Sequence, residues 1–195
     1  MHGEMSSNRQ HLTVSKRISA FRVLIKEGII KANLIPAFAA GFLAVMYYNQ
    51  SFFKSIPVLL LMLLATTLLI GGVCALNNYY DRDIDSVMTS KQDRPSLDGT
   101  FSGPDILKIG FSMVVLGEIL LFMINSTAGV IGLLAGFGYV VLYSIYSKRH
   151  LVSNTVIGAL PGAAPPLIGW AVIEPNLHIL AWAMFIVMFI WQPPH

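Results

Sequence analysis

Apolar residues gather into six blocks separated by short polar stretches, at residues 28–48, 56–76, 106–124, 128–146, 151–173 and 177–191. The second block carries no charge and is long enough to cross a hydrocarbon core of about 30 Å as a helix; the last is short. In lipid a helix satisfies its own backbone hydrogen bonds. The pattern therefore predicts an all-α fold, a polytopic membrane helical bundle with about six transmembrane helices. Residues 1–27 read as a basic arm. Over residues 12–27 the alternation of Leu12, Val14, Ile18, Phe21, Val23, Leu24 and Ile25 with Lys16, Arg17, Arg22 and Lys26 predicts an amphipathic interfacial helix. No apolar stretch of the signal-peptide kind lies near Met1. Residues 28–195 form the membrane domain, with a polar loop at 77–105.

Composition agrees with that class. Hydrophobic residues make up 55% and charged residues 12% of the chain, and the mean hydropathy is +0.66, outside the range of an ordinary soluble domain. On a six-span layout with the N-terminus in the cytoplasm, twelve of the thirteen basic residues fall on the cytoplasmic side and only Lys54 outside. That bias predicts the N-in orientation in a cell membrane. It also accounts for the net charge of +3 without any nucleic-acid partner. The single Cys74 excludes an intrachain disulfide and reads as a packing residue.

Chemistry concentrates where the second block ends. Asn77, Asp81 and Asp85 are spaced four apart, one helical turn between neighbours, and share a face if the helix continues through them. Stacked carboxylates repel unless a cation offsets them. Magnesium usually reaches proteins through one or two carboxylates together with substrate phosphates, so the implied ligand is a metal-bridged diphosphate. Arg82, Lys91 and Arg94 follow closely and suit phosphate recognition. The alternative is an acidic interfacial loop that keeps a helix end solvated.

Other polar groups stand alone in apolar surroundings. Lys31 either snorkels to the interface or faces a cavity, and Asn33 either bonds a neighbouring helix or lines a pocket. Gly71 and Gly72 would let a neighbouring helix approach closely. Glu118, in the middle of the third block, is either functional or a protonated, hydrogen-bonded structural acid. Tyr139, Tyr143 and Tyr146 fall at helical spacing, which predicts a shared face. In residues 154–170 Gly158, Pro161, Gly162, Pro165, Pro166 and Gly169 predict a broken helix, tolerated in a membrane where it lines a cavity.

The Asn77-x-x-x-Asp81-x-x-x-Asp85 pattern resembles the first aspartate-rich motif of the UbiA superfamily of intramembrane prenyltransferases. Residues 77–95 are closer still to the protoheme IX farnesyltransferases, or heme O synthases. Their Met-x-Arg-Thr-x-x-Arg-Pro string is matched by Met88, Arg94 and Pro95, with Ser90 and Lys91 as departures. Tyr143, Lys148 and Arg149 match Tyr-Thr-x-x-Leu-Lys-Arg, with Ser144 and Ser147 departing. The Gly/Pro-rich segment through Trp170 and the closing Trp191-Gln192-Pro193-Pro194-His195 resemble that family's signatures. Its usual Thr-Lys-Pro string is lacking from the first span. The resemblance implies about nine helices in a complete fold, and a chain covering its N-terminal two-thirds.

What the resemblance implies is transfer of a farnesyl group from farnesyl diphosphate to a vinyl group of heme B. Magnesium is the expected cofactor, on Asp81 and Asp85 with Asn77 in support; heme B is a substrate. Arg82, Lys91, Arg94, Lys148 and Arg149 are expected to hold the diphosphate, and Lys148 to aid its departure as pyrophosphate. The ring of Tyr143 is expected to stabilise the allylic cation, and His195 to touch heme. The lipid bilayer and contact with heme A synthase or other heme-pathway membrane enzymes complete the implied partners. Two alternatives stand beside this: a UbiA-type enzyme acting on an aromatic acceptor such as 4-hydroxybenzoate or a quinone precursor, and a non-catalytic protein that binds or transports divalent cations or lipid phosphates.

Overall fold

A computed structural model describes residues 14–82, 100–147 and 154–192, with backbone alone at 142, 143, 145–147 and 154–157. Every element it contains is helical. The amphipathic stretch forms α1 (Val14–Leu24), which buries Ala20 and Leu24 and leaves its cations exposed. Lys26 then takes a left-handed backbone conformation, φ 53° and ψ 59°, and turns the chain into α2 (Glu27–Tyr47). The exposed corner is tied by ion pairs of Glu27 with Arg22 and with Lys31, the latter at 2.6 Å. Lys31 is thus exposed and paired with Glu27 rather than turned into the pocket.

A short turn at 48–51, with Asn49 at φ 51°, leads into α3 (Phe52–Tyr80), the longest helix at 29 residues. That is about 43 Å of helix, more than a hydrocarbon core of about 30 Å needs. Its last turns therefore reach the headgroup level, and they carry Asn77 and Asn78. Three helices, α2, α3 and α4 (Gly103–Ile124), are long and apolar enough to cross a membrane. Large apolar side chains such as Ile35, Phe111 and Met123 are exposed on their outer faces, as a lipid-facing surface requires. The chain is an integral membrane protein.

The three remaining predicted spans are composite or short. α5 (Ser126–Phe137) starts on an Asn125 cap, whose Oδ1 accepts from the Ala128 amide at 2.8 Å, and continues as a π-helical segment (Gly138–Ser147). The fifth block breaks as its glycines and prolines predict, into α6 (Asn154–Gly162) and α7 (Pro165–Ala171), with Pro165 and Pro166 opening the second piece. α8 (Ile179–Trp191) has only 13 residues.

Glycine sets the two tightest crossings. A Cβ on Gly72 would lie 2.7 Å from the Gly110 carbonyl oxygen, and one on Gly117 2.8 Å from that of Ala65, so α3 and α4 touch backbone to backbone. This is the close approach that Gly71-Gly72 predicts. A Cβ on Gly169 would fall 1.9 Å from the Ala37 carbonyl oxygen, which seats α7 directly on α2. The far end of α2 is closed by Tyr47, whose hydroxyl lies 3.0 Å from His178 Nε2, with Trp170 stacked on the His178 ring.

Candidate functional site

The site grows from the end of α3. Tyr80 is its last helical residue, and Asp81 caps it at φ −85°, ψ −4° with its amide donating to the Asn77 carbonyl at 2.9 Å. Asn77 and Asp81 thus stand one turn apart, and both are 2% exposed. The Asn77 carboxamide is held at both ends: Oδ1 accepts from Lys26 Nζ at 2.6 Å, and Nδ2 donates to Ser144 Oγ at 2.9 Å. Ser144 in turn donates to the Tyr139 carbonyl at 2.9 Å, five residues back within the π-helical segment. Asn78 turns the other way and donates to the Leu24 carbonyl at 2.6 Å, fastening the end of α1 to α3. Arg82 places its guanidinium 5.9 Å from the Tyr79 ring centroid and packs against Gly103.

Below this polar head lies an apolar pocket of about 520 Å³, its open mouth included. Cys74 and Val73 line it, one turn from Asn77; Ile29 and Asn33 contribute from α2, Tyr139 from the π segment, and Pro161, Gly162 and Pro165 from the broken helix. The break therefore lines a cavity, which explains how its freed backbone is tolerated. Asn33 donates to Ile29 O within its own helix, while its Oδ1 faces no partner among the described residues. Thr66 Oγ1, in a fully buried residue on the same wall, is likewise without one. Asn33 is a pocket residue, and Cys74 borders the pocket as well as packing.

Of the residues singled out in the sequence, Asn77 and Asp81 stand together one turn beyond the pocket lining, whereas Arg82 packs on Tyr79 and against Gly103 at the start of α4. Asp85, Lys91, Arg94, Lys148, Arg149 and His195 lie outside the described residues, as does the side chain of Tyr143. Residues 138–147 form a π-helical segment with i→i+5 hydrogen bonding in place of a regular α-helix, and the side chains of Tyr143 and Tyr146, on which the shared tyrosine face depends, lie outside the described residues. Glu118 is apart from the pocket. Its carboxyl, 9% exposed, sits against Gly132 of α5, and neither oxygen has a hydrogen-bond partner among the described residues. The hydrogen-bonded structural role is therefore not what these residues provide.

Lys26, Asn78 and Ser144 are the polar residues that sequence reasoning missed. Lys26 looked like one cation of an amphipathic arm, Asn78 like the neighbour of a motif residue, and Ser144 like a departure from a pattern. A lysine immediately before the first span was the signal available. Among the described residues no three of His, Cys, Asp and Glu converge as a metal site. The donor set nevertheless suits magnesium: a carboxamide oxygen and a carboxylate are hard donors, and the former already faces a cation.

Comparison with known proteins follows the same lines. Residues 33–195 match the model of the UbiA prenyltransferase family. The chain belongs to that family. The chain is 57% identical over 174 residues to the protoheme IX farnesyltransferase of Macrococcus caseolyticus, covering 89% of this chain and 57% of that protein. With the protoheme IX farnesyltransferase of Staphylococcus aureus strain MRSA252 it shares 51% identity over 193 residues, 96% of this chain and 63% of that one. It thus spans about three-fifths of the length of these curated relatives. Among solved structures it is similar to a UbiA homolog from Archaeoglobus fulgidus bound to DMAPP and Mg2+, with a TM-score of 0.71 at 18% identity over 89% of this chain and 60% of that one. A structure of digeranylgeranylglyceryl phosphate synthase gives a TM-score of 0.74 at 18% identity, covering 90% of this chain and 59% of the other. These two likenesses establish the fold.

Proposed function

We propose that this protein transfers a farnesyl group from farnesyl diphosphate to a vinyl group of heme B, making heme O. The observation that carries this reading is a buried polar head of Asn77 and Asp81 set directly above an apolar pocket. Such a site divides an amphipathic donor into a charged end and a hydrocarbon end. Similarity to protoheme IX farnesyltransferases supports heme B as the acceptor.

Asp81 and Asp85, with Asn77 beside them, would hold magnesium. When bound, the metal would neutralise charge on the diphosphate and make it a better leaving group. Arg82, Lys91, Arg94, Lys148 and Arg149 would bind the phosphate oxygens, with Lys148 stabilising the departing pyrophosphate. The pocket would keep water from the allylic carbon while its carbon–oxygen bond to the diphosphate breaks and the heme vinyl attacks it; the ring of Tyr143 would stabilise the developing allylic cation, and the cation left on the vinyl carbon would then take up water and lose a proton. His195 would touch heme. On this reading the N-terminus, the Asp81 end of α3 and Lys148 share the cytoplasmic face of a bacterial cell membrane, where a soluble diphosphate arrives. Residues 1–27 serve as the interfacial arm and residues 28–195 as the membrane domain. The product would pass to a further membrane enzyme of heme modification such as heme A synthase.

The test is direct. Membranes containing the full-length protein receive heme B, magnesium and farnesyl diphosphate, and the extracted hemes are separated by mass. The expected product gains one farnesyl group plus water, and Asp81→Asn, which keeps the side chain's shape, should abolish it. An unmodified heme from the native protein would overturn the assignment, and full product from the Asp81→Asn variant would overturn the metal role.

A further inference from the structure

We propose that the Lys26 ammonium is the resident counter-cation of the site, holding on Asn77 Oδ1 the place of the metal until a metal-bound diphosphate arrives. The inference rests on the reading of the site as one for a metal-bridged diphosphate, and it concerns how the site loads rather than what it transfers.

Three observations carry it. The first is the contact itself, 2.6 Å from Lys26 Nζ to the oxygen of a residue only 2% exposed. That oxygen is the carboxamide's acceptor, and the other end of the same amide is fixed on Ser144 at 2.9 Å. Asn77 therefore cannot turn its oxygen elsewhere without breaking a second buried bond. The second is the backbone of Lys26. A left-handed conformation at a lysine, φ 53° and ψ 59°, is strained and persists only where its surroundings hold it. Here they do: Asn78 fixes the Leu24 carbonyl at 2.6 Å, and the Lys26 carbonyl accepts from the Ile29 amide at 2.8 Å. The strained joint aims the ammonium at Asn77. The third is placement: Ile29, one turn on from Lys26, and Cys74, one turn before Asn77, both line the pocket, so the Lys26–Asn77 contact lies one turn from its lining. Lys26 also precedes residues 33–195, the segment shared with the family at large.

A divalent ion approaching Asn77 and Asp81 meets a positive charge already seated on one of its donors. Metal alone is thus disfavoured by like-charge repulsion and by competition for a lone pair. A diphosphate changes the balance, because its oxygens offer the ammonium a better partner than a neutral amide. Lys26 then moves from Asn77 to the phosphate, and the amide oxygen becomes available to the metal. The site in this way binds metal and diphosphate together and the metal alone poorly.

The experiment is a Mn2+ titration of the purified full-length protein in nanodiscs, read by the EPR signal of free Mn2+, with and without inorganic diphosphate. Lys26→Gly removes the ammonium and adopts φ 53° without strain; Lys26→Arg keeps a cation. Without diphosphate, Lys26→Gly is expected to bind Mn2+ about tenfold more tightly than the native protein, and Lys26→Arg to stay near native. Added diphosphate is expected to tighten Mn2+ binding strongly in the native protein and much less in Lys26→Gly. Mn2+ binding by Lys26→Gly no tighter than native, or an equal shift in both variants, would overturn the proposal. Failure of the farnesyl-transfer reading is separate: native protein would yield no modified heme while the difference in Mn2+ binding persisted.

Discussion

Two adjacent asparagines at the end of α3 do different work because a helix points them about 100° apart. Asn77 faces the pocket mouth and meets Lys26 and Ser144; Asn78 faces α1 and closes on the Leu24 carbonyl. A spacing argument finds the first, since it shares a face with Asp81, and passes over the second. The division makes a test. Asn78→Ala would leave the Leu24 carbonyl buried and unpaired beside a residue only 1% exposed. The loss expected is about 1–3 kcal/mol of stability. It should appear as a lower thermal midpoint in detergent and as faster trypsin cleavage at Arg17 or Arg22 in α1, with Mn2+ affinity little changed. A variant as stable and as protease-resistant as the native protein would show that the Asn78 contact does not anchor the arm.

At the scale of elements, helix packing here is governed by absent side chains. Gly169 brings α7 onto α2 so closely that a methyl group would lie 1.9 Å from backbone oxygen, where no rotamer change gives relief. Gly169→Ala should therefore force the two helices apart, at a cost at or above the upper end of about 1–3 kcal/mol. Gly28 is the control: it lies in α2, a Cβ there meets nothing within 4 Å, and Gly28→Ala should be neutral or stabilising. Thermal midpoints of the two variants decide the matter, and equal midpoints would refute the close crossing. The sequence revealed the helices readily, because long apolar blocks and Gly/Pro clusters are local signals. It also indicated that the helix over residues 154–170 breaks, since its glycines and prolines interrupt helical hydrogen bonding, while only the structure places the break at residues 163–164. The π segment was not legible, because its apolar sequence reads locally as an ordinary α-helix, and the contact of Ser144 with Asn77 on α3 spans 67 positions. Lys26 escaped for the same reason: its role depends on a residue 51 positions away.

For the whole molecule, the distribution of charge and the polar head lead to one orientation. Cations of the N-terminal arm lie at the α1–α2 corner, on the same side as Asn77 and Asp81, while the α2–α3 turn at the opposite end carries Lys54 alone. If positive residues remain in the cytoplasm, the arm and the pocket mouth face inward and the turn faces outward. The one native cysteine, Cys74, is 1% exposed, so thiol labelling has a low background. Ser19 on α1 and Gln50 in the turn are both exposed and take a cysteine without disturbing packing. A membrane-impermeant maleimide applied to intact cells should label the Gln50→Cys variant at once and the Ser19→Cys variant only after the membrane is opened. The reverse pattern would put the pocket mouth on the outer face, away from any cytoplasmic diphosphate, and would remove the topological support for a soluble donor.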